Sequence, residues 1–158
     1  MIVPFNEIPK EAKVWIFPSS RKLYKQEFPE VKKSIENFLQ GWGSSNFNAA
    51  YEIKYDRFIV IAADDTKKSL AIDIHDDLTS FIQELEQKYT IILLDRINVC
   101  YKQGEFVQYK DLKEFKKMIK AKGVSQKTIV FNNMITTVDE YEYDWEINIM
   151  DSWLGRFL

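Results

Sequence analysis

The sequence predicts a single α+β domain, and three patterns carry that prediction. Two short β-rich runs, residues 13–17 and 58–63, are apolar on both faces, whereas residues 49–55 alternate between apolar and charged side chains. Amphipathic stripes with helical spacing separate the runs, which gives the mixed order of an α+β chain.

Taken in order, Lys13-Val14-Trp15-Ile16-Phe17 forms a strand closed by Pro18, covered on both sides because its two faces are equally apolar. Pro29 suits the first turn of a helix whose stripe is Val31, Ile35, Phe38, Leu39 and Trp42, stopping at Gly41 or Gly43. In the next strand Tyr51, Ile53 and Tyr55 share one face, with Glu52 and Lys54 on the other, and Asp56 implies a tight hairpin into residues 58–63. A second helix follows with Leu78, Phe81, Ile82, Leu85 and Tyr89 in line, and Asp76 or Asp77 placed to cap its start. Residues 91–94 and 97–101 supply strand material, and Gln103-Gly104 turns the chain into residues 105–109. The third helix, about residues 111–121, turns Leu112, Phe115 and Ile119 inward and leaves its Lys residues outside. Residues 128–131 read as a short strand. Thr136 or Thr137, followed three residues on by Asp139 or Glu140, resembles a capping box opening a short helix to about Tyr143, and residues 153–157 suit a helical turn.

The βαββαβ order is that of the ferredoxin-like sandwich, an antiparallel sheet with helices on one face and its first and third strands central. Doubly apolar central strands then require a second cover. The C-terminal third is the candidate, since a segment rich in Trp153, Leu154, Phe157 and Leu158 is expected to dock against an apolar surface. The expected organisation is one domain over residues 1–158, with a core of about residues 13–102 and a cover of about residues 103–158.

At 158 residues one domain buries about 68–70% of the unfolded chain's surface, so no covalent staple is needed. Apolar content of 46% with 11 Phe, 8 Tyr and 4 Trp excludes disorder. Cys100 is alone, so an internal disulfide is excluded and the expected location is the cytoplasm. Neither a leader pattern nor a membrane-length apolar run is seen, the longest being residues 58–63. A net charge of −2 speaks against a protein devoted to nucleic acid. The charge is unevenly spread. Residues 110–127 carry seven Lys against Asp111 and Glu114, a local +5, while residues 139–151 carry six acids and no base. Solvated faces, or faces that meet each other, account for this most simply.

Several residue groups carry side chains of the types that chemistry uses. Asp73, His75 and Asp76, with Asp64, Asp65 and Asp77 near them, have the donor types of a divalent metal site, but adjacent residues rarely converge and the spacing matches no short metal motif. The acids serve equally to turn the chain and favour a helix start. Cys100 reads as a small buried hydrophobe. The five Gly form neither a Walker A pattern nor a dinucleotide fingerprint, so P-loop nucleotide hydrolysis and a bound cofactor are not expected. Residues 57–61 lack the Gly-aromatic pattern by which ferredoxin-like sheets bind RNA, which leaves Lys113, Lys116, Lys117 and Lys120 as the one nucleic-acid signal. Asn132, Asn133, Trp145, Trp153 and Arg156 either line a pocket or turn and pack the chain.

Val14-Trp15-Ile16, Ser80-Phe81-Ile82-x-x-Leu85-Glu86 leading to Leu94-Asp95-Arg96, Val130-Phe131-Asn132-Asn133 and Asp151-Ser152-Trp153-x-x-Arg156-Phe157 together resemble a family of small uncharacterised bacterial proteins often labelled "ABC transporter ATPase". The resemblance runs in order over nearly the whole chain. Where the family pattern has a Cys and small residues before the second helix, this chain has Ile72, Asp73 and Ile74. The resemblance implies that Asp95, Arg96, Asn132, Asn133, Trp153 and Arg156 form one neighbourhood, a pocket or a clamp in which Asp95 pairs with Arg156, or Arg96 with the terminal carboxylate.

The leading expectation is a non-catalytic interaction or regulatory module whose partner is a protein or a small molecule, with a homodimer possible and membrane insertion not expected. The alternative is an enzyme of unfamiliar type using the Asp73/His75/Asp76 group or an Asp95/Arg96/Asn132 pocket. Weak RNA binding through the Lys-rich helix comes third.

Overall fold

The computed structural model describes residues 1–95 and 97–158. Its elements run β1 (Lys13–Pro18), α1 (Phe28–Gly41), β2 (Ala49–Lys54), β3 (Phe58–Ala63), α2 (Asp73–Tyr89), β4 (Val99–Gln103), β5 (Phe106–Lys110), α3 (Leu112–Lys120), β6 (Ile129–Phe131), α4 (Val138–Tyr143) and β7 (Glu146–Asn148). Short 3-10 turns occupy Phe5–Glu7, Lys25–Glu27, Trp42–Ser45, Ile149–Asp151 and Trp153–Phe157. The chain is therefore α+β, with four helices and two antiparallel sheets among the described residues, ordered β1-β3-β2 and β5-β4-β6-β7.

In the first sheet β3 lies between β1 and β2, in register from Lys13↔Ala63 to Pro18↔Phe58 and from Ala49↔Ala63 to Lys54↔Phe58. All six β3 residues are buried, which is why the run is apolar throughout. Trp15, Phe17, Ile59, Ile61 and Ala63 face α1 and α2, packing on Val31, Ile35, Leu39, Leu78, Ile82 and Leu85. The hairpin at Asp56 is tight: Tyr55 and Asp56 take φ of 54° and 55°, and the Arg57 N–H donates to the Lys54 carbonyl at 3.0 Å. Gly43, at φ 58°, ends the α1 turn where a Cβ would sit 2.5 Å from Phe47 Cε1.

Two expectations about α2 and its exit are corrected. The helix starts at Asp73 without a side-chain cap, so Asp76 lies in its first turn rather than capping it, and buried Ile74 extends the apolar stripe by one step. Residues 91–94 are not a strand. The Leu93 and Leu94 N–H groups donate to one Glu86 carboxylate oxygen at 2.7 and 3.1 Å, and Ile92 exchanges bonds with Ser20, which satisfies the backbone without a ladder. The next strand is consequently β4, and it pairs in the second sheet, with β5 from Val99↔Lys110 to Gln103↔Phe106 and with β6 at Tyr101↔Val130. The edge of β1 is touched instead by Thr136 and Thr137, through Val14 N–H to Thr136 O at 2.9 Å.

The second face of the first sheet, Val14, Ile16, Ala50, Phe58, Val60 and Ala62, packs on Cys100, Phe131, Ile135, Val138, Tyr141 and Trp145. Trp153–Phe157 is not part of that layer. Its buried Leu154 belongs to a third cluster with Val99, Tyr101, Phe115, Val130 and Ile149, on the far face of the second sheet beside α3. The lid is thus built from residues ahead of the last turn, because the second sheet lies between that turn and the first. No helix among the described residues is long and apolar enough to cross a membrane.

Candidate functional site

A cleft of about 730 Å³ opens where the Phe5–Glu7 turn, the β2–β3 hairpin, α4 and the start of β7 meet. Phe5, Ile8, Val138, Tyr141 and Trp145 supply its apolar walls, and Lys10, Glu52, Lys54, Glu142 and Glu146 stand around them. Its size and mixed lining are those of a small-ligand or side-chain site.

Local sequence places each group. Thr137 caps α4 by accepting the Glu140 N–H at 3.2 Å, but the expected capping box is only half formed, because the Glu140 carboxylate receives the hydroxyls of Thr136 and Thr137 at 3.0 and 3.2 Å and the Thr136 N–H at 3.3 Å rather than the Thr137 N–H. That start fixes the helix phase, so Val138 and Tyr141, three apart, turn inward. Tyr141 packs edge-on to Phe5 at 5.6 Å and against Trp145 at 5.1 Å between ring centroids. In β2 the alternation puts Glu52 on the face opposite Tyr51 and Ile53, toward the second layer, where its Oε2 accepts the Tyr141 hydroxyl at 2.6 Å. Tyr55 donates to Glu146, which also lies 3.1 Å from Lys102, and Lys10 lies 3.7 Å from Glu142.

Burial, and then the Glu52 carboxylate, push the Tyr141 hydroxyl well above the ordinary tyrosine range. Burial followed by Glu146 raises Tyr55 as well, against the opposing pull of Lys102. Both hydroxyls are donors at neutral pH and neither serves as a base. Behind the cleft, Trp145 Nε1 donates to Asn133 Oδ1 at 2.9 Å and Asn133 Nδ2 donates to Cys100 Sγ at 3.7 Å. Burial pushes the Cys100 thiol up to about 12, away from the thiolate form that a nucleophile needs.

The six residues implied as one neighbourhood are divided. Asn133 supports Trp145, while the Asn132 side chain accepts the Met134 N–H at 3.2 Å and turns the chain. Asp95 holds its own loop, accepting from Ile97 N–H and Asn98 Nδ2, both at 2.9 Å. Trp153 and Arg156 lie on the outer layer, with the guanidinium 5.7 Å from the Trp153 ring and 5.0 Å from that of Phe157. Asp95 and Arg156 form no ion pair, since local donors engage Asp95 and aromatic faces hold Arg156. Arg96 lies outside the described residues. Asp73, His75 and Asp76 are exposed at the start of α2, and among the described residues no three His, Cys, Asp or Glu converge to hold a metal ion. Lys113, Lys116, Lys117 and Lys120 are exposed on α3.

Sequence reasoning picked out Trp145 and Asn133 but missed Tyr141, Glu52, Tyr55 and Phe5 as a group. A usable signal was the acidic aromatic run 139–146 beside a strand that carries Glu52 on its sheltered face. Comparison of the chain with family models, curated proteins and solved structures finds no match.

Proposed function

We propose that this chain is a non-catalytic interaction module of the cytoplasm, and that its cleft receives an apolar group ending in a basic nitrogen, from a partner protein or a small molecule. The observation that carries the reading is the pairing of aromatic walls, Phe5, Tyr141 and Trp145, with a Glu52 carboxylate held by Tyr141 through one oxygen only. The other oxygen has no donor among the described residues and offers itself to a cation, which the rings also favour. Catalysis is not supported by the cleft's own groups: its tyrosines hold their protons, Cys100 is buried behind it, and His75 is not in its lining. On this reading the first five elements are a ferredoxin-like half whose fourth strand has been drawn into the second sheet, leaving a cleft at the seam between layers.

Phenethylamine is the smallest probe of this chemistry and 3-phenylpropionate its charge-reversed control. In ¹H–¹⁵N spectra phenethylamine is expected to shift the Trp145 indole N–H saturably, with at least a fivefold loss of affinity in Glu52→Gln, and phenylpropionate to leave it in place. Equal binding of the two probes, or no effect of E52Q, would overturn the proposal.

A further inference from the structure

We propose that the outer layer of the second sheet, α3 together with the Trp153–Phe157 turn, binds single-stranded nucleic acid, with phosphates on a lysine stripe and a base on Trp153. The site is separate from the cleft and rests on different observations.

Lys113, Lys116, Lys117 and Lys120 sit at spacings 0, 3, 4 and 7, so they form one exposed stripe on α3 while Leu112, Phe115, Met118 and Ile119 face the core. Neighbouring like charges at these spacings oppose helix formation, and this helix is only nine residues long. Lys10, Lys22, Lys88, Lys102 and Arg21 each have a carboxylate within 4.0 Å, but none of the four stripe lysines and not Arg156 does, among the described residues. Among the described residues no carboxylate is close enough to neutralise the stripe directly, and an anionic chain would lower its mutual repulsion.

The folded chain brings to this stripe side chains from the far end of the sequence, beyond β6, α4 and β7. Lys116 Nζ lies 4.4 Å over the ring of Phe157, and the Arg156 guanidinium lies against both Phe157 and Trp153. Phe157 is half-buried, whereas Trp153 is 48% exposed. An exposed indole with the Arg156 guanidinium beside it, joined through Phe157 to a stripe of lysines without carboxylate partners, combines the two parts of a single-strand site, a stacking platform and an electrostatic track. Both faces of the first sheet are covered by other layers, so base stacking there is blocked and the outer layer is the available surface. An anionic membrane surface fits less well. Interfacial helices insert an exposed apolar face, and the apolar face of α3 is turned into the protein.

The test is fluorescence anisotropy with a labelled oligouridylate of about 12 nucleotides, read between about 50 and 200 mM KCl. Binding is expected to saturate at low salt and to weaken about 50-fold over that range, which is the slope for about four neutralised phosphates on a single strand. Trp153→Ala is expected to cost about tenfold in affinity with the salt slope unchanged, because it removes stacking and no charge. Lys116→Glu with Lys120→Glu is expected to abolish binding, and Glu52→Gln to leave it intact, which separates failure here from failure of the cleft reading. The proposal falls if the oligonucleotide gives no saturable signal, if W153A binds like the parent, if E52Q abolishes binding, or if phosphatidylserine vesicles retain the protein while the oligonucleotide does not.

Discussion

Tyr141→Phe isolates the bond that organises the cleft. The substitution keeps the ring and its packing on Phe5 and Trp145 and removes only the hydroxyl that donates to Glu52 at 2.6 Å. A hydrogen bond to a charged group contributes about 1.5–3 kcal/mol. Glu52 is half-buried, so water replaces part of the loss and the low end, about 1.5 kcal/mol, is the expected destabilisation. For a chain of this length that corresponds to a fall in Tm of about 3–6 °C. Urea titration followed by tryptophan fluorescence would measure it, and a cycle with Glu52→Gln should return a coupling of about 1 kcal/mol. A Y141F protein within about 0.3 kcal/mol of the parent, or strictly additive variants, would show that the pair carries no energy and that Glu52 is not held for a ligand.

Burial raises the hydroxyls of Tyr51, Tyr101, Tyr109 and Tyr141 above the unfolded value near 10, so above about pH 10 the unfolded chain gives up protons that the folded one keeps. Stability should be intact below that pH and fall as pH rises through the alkaline range, by up to about 1.4 kcal/mol per pH unit for each fully buried group, and less steeply in Y141F; melts that stay level to pH 11 would contradict this. Cys100 should resist a thiol reagent at pH 8 in the folded protein and react fully in denaturant, because its thiol is buried and pushed up to about 12. Stoichiometric labelling of the native protein would refute the placement. Gly43→Ala forces a Cβ to within 2.5 Å of Phe47 Cε1 and 2.6 Å of Ile74 Cδ1 at a φ of 58°, and should destabilise by about 2–3 kcal/mol in thermal melts. An unchanged Tm would mean that the turn joining α1 to β2 is not where the chain is constrained.

Local chemistry was legible wherever neighbours in sequence decide the outcome. The α1 stripe from Val31 to Leu39, the hairpin at Asp56 and the Thr137 cap of α4 each depend on residues a turn apart, and each is found as expected. The doubly apolar β1 and β3 likewise announced that the first sheet is covered on both sides. Strand pairing was another matter. Residues 91–94 have strand-like side chains, yet Glu86 and Ser20 satisfy their backbone, and the pairing passes to β4 in the second sheet.

By itself, then, the amino-acid sequence determined the helices, turns and two-sided burial of this protein, because each of these follows from spacing within about ten residues. Only the tertiary structure decided which segment covers the first sheet, where Trp153 and Arg156 come to rest, and that Phe5, Glu52, Tyr141 and Trp145 share one cleft. Those outcomes depend on which distant backbone edges and apolar faces satisfy one another, a competition that no local pattern records.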